Sequence, residues 1–291
     1  MGLITIPKTL RVPLLAKYPA RMGRFRGPYC RMARRASATS SFTWLPAFMS
    51  FRFLVQRWAA WAPGLSSREA WLDWLARPVP VKGDEVPALA QMPAMMRRRI
   101  ERLGRAALQT AYEALEDAAQ PCPAVFASRY GDMRRSIELM RQLAEEGAVS
   151  PTAFSVSVHN AFAALFSIAR GDRSNYSAVA AGAETAESAL VEAVGLLAEG
   201  APEVLVVVYD EPLPPPLEHF SEPGEFIHAW AVRIAPAKGS GIGFSLAQAT
   251  GEVATTDSAL PSDLALLSFL IGHQREYRRD VDGRRWQWER A

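Results

Sequence analysis

A chain of 291 residues, 49% of them hydrophobic, is long enough to bury a sizeable core in one or two domains. No stretch reaches the roughly 20 apolar residues that span a bilayer, and Cys30 and Cys122 form neither a metal-ligand spacing nor a disulfide framework, a pattern expected of the reducing cytoplasm. The net charge of +3 misleads: residues 1–48 hold nine of the 33 Lys/Arg and none of the 30 Asp/Glu, so the remainder is net −6, which removes nucleic acid as the default partner.

Residues 1–48 form a basic leader ahead of a body that runs from 49 to 291. The leader is open to three readings: a targeting presequence, a basic arm for acidic lipid or nucleic acid, or translated upstream sequence with the true start at Met49. The last is favoured because strand-like patterning begins directly after Met49.

In the body, residues 51–57 alternate like a strand. Ser67 with Glu69 predicts an N-cap for a helix over 67–76, whose Trp71 and Trp74 share a face. Residues 77–93 read as a loop. A helix from Ala94 to about Ala118 follows, with Pro93 at its start and Met96, Ile100, Leu103, Ala107 and Leu108 on its apolar face. The run Arg97–Arg99 is read as a solvated face in preference to a phosphate site. A strand over 123–128, helices over 133–146 and 161–170, and an extended segment 176–181 come next. A helix of small residues over 183–199 then ends at Gly200. The β-branched run 203–209 reads as a central strand, closing a right-handed βαβ unit. A Pro-rich loop over 211–223 precedes strands 226–234 and 242–249, an amphipathic helix 262–273, and a hairpin about Asp282-Gly283.

Two motifs are set aside. Gly239-x-Gly241-x-Gly243 has its third glycine one place early and precedes a strand, so a dinucleotide site is not expected. His159, His219, His228 and His273 have no ligand spacing, so neither a metal nor any cofactor is expected. Asp210-Glu211 could act as an acid/base pair, but neighbours at a strand end are expected to diverge towards solvent.

Ser150-Pro151-Thr152-Ala153-Phe154-Ser155-Val156-Ser157-Val158-His159-Asn160-Ala161 resembles the segment that precedes the nucleophile strand of β-ketoacyl synthases. There an asparagine, matched by Asn160, opens a buried helix at the dimer interface. Asn175-Tyr176-Ser177-Ala178-Val179-Ala180-Ala181-Gly182-Ala183 is similar to the strand and turn that present the nucleophile, followed by the helix to Gly200 and strand Val204–Val208. The resemblance runs from Met49 to Trp288 and extends to Arg284-Arg285-Trp286-Gln287-Trp288. It points to the shorter, chain-length-factor-like members associated with aryl-polyene and xanthomonadin-type pigment clusters. It implies a thiolase-like α/β fold, the N-terminal half of a ketosynthase, layered α/β/α about a mixed sheet.

Counted back from Gly200, the family's cysteine falls on Ala183, and a shift of one residue would put Glu184 there. Neither is a thiolate, so no acyl-enzyme can form at this place. The two histidines and the lysine that the family draws from its C-terminal half have no matching motifs here. The resemblance therefore implies a non-catalytic subunit that pairs, through residues 150–181, with a catalytic ketosynthase acting on an acyl carrier protein. Phe154, Ser157, His159, Asn160, Phe162, Phe166, Glu184 and Thr185 are the candidates for the partner face or acyl pocket, with core packing the competing reading for the three phenylalanines. The rivals are an acyl-transfer or thioester-hydrolysing enzyme using Glu184, Thr185 or His159, and a degenerate scaffold.

Overall fold

The computed structural model describes residues 51–222, 224–249 and 260–291; the leader lies outside them. Eight strands form one mixed sheet in the order β3-β2-β4-β5-β1-β6-β8-β7: β1 Phe53–Trp61, β2 Ala124–Ala127, β3 Tyr176–Val179, β4 Val204–Asp210, β5 His228–Pro236, β6 Ile242–Gln248, β7 Glu276–Val281 and β8 Arg284–Arg290. β2 pairs parallel with both β3 and β4, and every other pairing is antiparallel. Val204 to Tyr209 are all buried, as a strand covered on both faces requires.

The helices are α1 Arg68–Ala76, α2 Ala94–Arg97, α3 Arg102–Ala114, α4 Met133–Glu146, α5 Pro151–Ser155, α6 Ala161–Arg170, α7 Thr185–Ala198 and α8 Ser262–Ile271. Each sheet face has its own core. Trp71 and Trp74 of α1, Leu190 and Val194 of α7, and Leu266 and Phe269 of α8 pack with Val206, Val208 and Trp230 on one face. Leu108 of α3 and Phe162 and Phe166 of α6 pack with Phe126, Leu205 and Tyr209 on the other. The result is the layered α/β/α architecture.

Several elements depart from expectation. β1 runs on through Trp58 and Trp61 to pair with β5 along its length. The single helix expected over 94–118 breaks between Arg97 and Arg102, because the Arg105 guanidinium donates to the carbonyls of Ile100 (3.0 Å) and Arg97 (3.3 Å). α8 is buried almost all round and is not amphipathic. Residues 151–155, for which no element is expected, form α5, with Ser150 Oγ accepting from Ala153 N. At the hairpin, Asp282 and Gly283 both take positive φ (48° and 75°), the geometry of a two-residue turn matched to strand twist. Gly241 answers to packing: a Cβ there would lie 2.8 Å from Phe53 O, so the close approach of β6 to β1 demands glycine.

Candidate functional site

Residues 175–209 fold as strand, turn, helix and strand. β3 ends at Val179, and the chain turns at Gly182 with φ +55°. One short 3₁₀ turn, Gly182–Glu184, then leads into α7. Thr185 closes this turn: its Oγ1 donates to Gly182 O (2.7 Å) and accepts from Ala181 N (3.0 Å). Ala183 presents only a methyl group beside the start of α7.

The side chains around the turn are committed to holding it. Glu184 is buried; it accepts from Trp286 Nε1 at 2.8 Å and pairs with Arg284. One helical turn on, Glu187 pairs with Arg279. Two acids at i and i+3, one at the N-cap of α7 and one in its first turn, thus clasp the β7–β8 hairpin. Burial nevertheless raises the Glu187 carboxyl above its ordinary range, against the lowering effect of Arg279. His159 Nε2 lies 3.1 Å from Val179 O and donates to it, a carbonyl that also accepts from Ser128 N.

The other sequence candidates are dispersed. Ser155 and Ser157 spend their hydroxyls on the carbonyls of Thr152 and Phe154, so with His159 they form no catalytic array. Asn160 stands at the start of α6, exposed, and makes no capping bond through its side chain. Phe162 and Phe166 belong to the core, against Tyr209, Phe126 and Tyr112. Phe154 alone of the three phenylalanines is exposed.

Beneath the turn lies a polar cluster that sequence reasoning missed. His228 is buried; its Nδ1 is 2.8 Å from Phe226 O and its Nε2 is 2.8 Å from Asp263 Oδ2. Both neighbours are acceptors, so both ring nitrogens donate and the ring is a cation. Burial alone would lower its pKa, but the Asp263 carboxylate outweighs burial and holds it at about 9. Trp230 Nε1 donates to the same Asp263 oxygen at 2.8 Å. Asp210 does not simply point into solvent as expected: it is part-buried, and its carboxylate accepts from Ser128 Oγ, Arg129 N and Tyr130 N. Burial pushes it up to about 7 despite these bonds. The partners of Asp210 and of His228 lie about 80 and 35 residues away in the chain, beyond any spacing rule.

Arg129, Gly182, Ala183, Asp210, His228 and Asp263 border a cavity of about 30 Å³. That is room for one or two water molecules and not for an acyl chain. Among the described residues no group of three His, Cys, Asp or Glu could hold a metal ion, and no helix is long and apolar enough to cross a membrane.

The family described as "Beta-ketoacyl synthase, N-terminal domain" matches residues 71–289. The chain belongs to that family. No curated protein matches it. A chain of the ketosynthase (ApeO) in complex with its chain length factor (ApeC) from Xenorhabdus doucetiae is similar at 27% identity and TM-score 0.70, over 82% of this chain and 99% of that one. The ishigamide ketosynthase/chain length factor is similar at 17% identity and TM-score 0.55, over 71% of this chain and 68% of that one. A type II polyketide synthase acyl carrier protein in complex with its ketosynthase (AntDE:AntF) gives 14% identity and TM-score 0.55, over 68% and 70%. The last two likenesses speak for the fold. This member of the β-ketoacyl synthase family is thus a ketosynthase-like protein related to ketosynthase/chain-length-factor pairs.

Proposed function

We propose that the chain is a non-catalytic, chain-length-factor-like subunit that pairs with an active β-ketoacyl synthase elongating chains on an acyl carrier protein. The observation that carries this reading is the turn after β3. Neither Ala183, where the family's cysteine is expected, nor Glu184, one place on, supplies a thiolate; Glu184 is bonded to Trp286 and Arg284, and the cavity that Ala183 borders measures about 30 Å³.

The two sheet edges support a partner at β3. β7, at one edge, carries Glu276, Arg278, Arg279 and Asp280, charges that discourage strand addition. β3, at the other, reads Tyr176-Ser177-Ala178-Val179 and has no charge at all. An uncharged edge that leaves Tyr176 exposed is what a paired subunit covers. The similarity to a chain of a ketosynthase in complex with its chain length factor agrees with such pairing, and nearly all of that chain is spanned. The rival, an acyl-transfer enzyme using Glu184, Thr185 or His159, is disfavoured because all three are engaged in bonds that hold the turn.

Coexpression with a catalytic ketosynthase and its acyl carrier protein tests the reading. The expected result is copurification of the two chains, with condensation only by the pair. Condensation or thioester hydrolysis by this chain alone would overturn it.

A further inference from the structure

The cavity of about 30 Å³ at Ala183 has larger neighbours. Beyond its outer wall lie two open hollows of about 370 and 360 Å³, volumes at which small molecules are bound. Trp74, Pro78, Pro80 and Pro261 line the first; Arg102, Leu213, Pro214 and Ile227 line the second. Glu225 and Phe226 border all three spaces. Two adjacent residues thus stand between a space for water and space for a ligand.

The two are held by different forces. Phe226 is held by packing: it is buried, and its ring meets those of Trp74 and His228 at centroid distances of 5.3 and 5.1 Å. Glu225 is held by charge. Its Oε1 lies 3.7 Å from Arg129 Nη1, which also pairs with Glu222, and accepts from Tyr130 Oη at 3.5 Å. Its Oε2 is buried and meets no hydrogen-bond partner among the described residues. A buried acceptor left unmet raises the free energy of the closed wall, and water reaching it would lower that of a parted one. Arg129 is placed to oppose the parting. Its amide is fixed on Asp210 at 3.0 Å, and its guanidinium lies 4.9 Å over the Tyr130 ring. The Arg129 and Glu222 side chains are 24% and 31% exposed, so salt screens the pairs that hold the wall.

We infer that Arg129 is a latch: its ion pairs to Glu222 and Glu225 keep the Glu225–Phe226 wall shut, and when they part the cavity at Ala183 joins the outer hollows. The latch works within one chain and needs no partner, so its failure and that of the pairing proposed above are separate outcomes.

Ala183→Cys in the full chain turns the cavity into its own reporter. The probe is iodoacetamide, which is uncharged, and peptide mass spectrometry resolves residue 183 from Cys30 and Cys122. Cys122 is buried in the core on the opposite sheet face and monitors global unfolding. The expected result is slow alkylation at 183 in about 50 mM NaCl and a roughly fivefold faster rate near about 1 M, as the pairs are screened. Adding Arg129→Gln is expected to raise the low-salt rate roughly tenfold and to abolish the salt dependence. Losing the guanidinium would by itself raise the thiol pKa and slow the reaction, so acceleration reports access. Phe226→Ala is expected to accelerate alkylation in the same way by removing the wall, with Cys122 unmodified throughout. An unchanged rate at 183 in either double variant, or a rise matched at Cys122, overturns the latch. Should Arg129→Gln not fold, the salt series on Ala183→Cys alone still decides: a rate that ignores salt refutes the latch.

Discussion

Glu184 stands beside the residue expected to be a nucleophile, and its own surroundings assign it to the fold. Its carboxylate is the acceptor for the buried Trp286 indole and the partner of Arg284, which is half exposed. Glu184→Ala leaves the indole N–H without a partner and is expected to cost about 1–3 kcal/mol in urea unfolding, mostly from that unmet donor and little from the screened ion pair. Glu184→Gln keeps an acceptor for Trp286 and is expected to cost less than half as much. The His228–Asp263 pair makes a second prediction. The folded pKa of His228, about 9, lies above its ordinary 6.5, so the stability it contributes is fully present below about pH 6.5 and is lost as pH rises through about 9. Asp263→Asn strands a buried cation, with an expected loss of about 3 kcal/mol or more at neutral pH, and it abolishes this part of the slope between pH 6.5 and 9. Chemical denaturation at a series of pH values reads both effects.

At the scale of elements, the alternation of apolar residues and the turn signals were enough to give the order of strands and helices. β4 was legible because a run of β-branched residues has few other uses, and the β7–β8 hairpin because Asp-Gly accepts two positive φ values. What local pattern could not give depended on distant partners. The break between α2 and α3 is made by Arg105 reaching back to two carbonyls, and the uniform burial of α8 follows from being covered by both the sheet and α7. The turn at Gly182–Ala183 was legible by resemblance, whereas the Asp210 and His228 cluster was not, since its members come from β4, β5 and α8. On the proposed pairing, the short α5 is the element to probe. It holds Phe154 out in solvent, 57% exposed, where a core role would have buried it. Phe154→Asp is therefore expected to leave the unfolding midpoint nearly unchanged, within about 0.5 kcal/mol as for surface sites, while abolishing copurification with the ketosynthase. Phe162→Ala, by contrast, removes a core ring packed on Tyr209 and is expected to lower stability by about 3–5 kcal/mol.

For the molecule as a whole, the proposed lack of condensing activity rests on more than one atom. A condensing enzyme needs a nucleophile with a lowered pKa, room for the acyl chain beside it, and groups to stabilise the enolate. Ala183→Cys would restore a thiol near the start of α7, whose partial positive charge favours a thiolate. The rest of the site would still be wrong. The cavity beside it is water-sized, its one imidazole is held as a cation by Asp263 and Phe226, and Glu184 and Thr185 are locked into the turn. A ring that already carries both protons cannot take a third, so it offers no base to the new thiol. The expected outcome for Ala183→Cys is slow alkylation by iodoacetamide, no acylation by an acyl-carrier-protein thioester, and no condensation product by mass spectrometry, whether or not malonyl thioester is supplied. Acylation of that cysteine at a rate typical of an enzyme would mean that the enclosure seen here opens in solution, and that the chain retains an acyl pocket of its own.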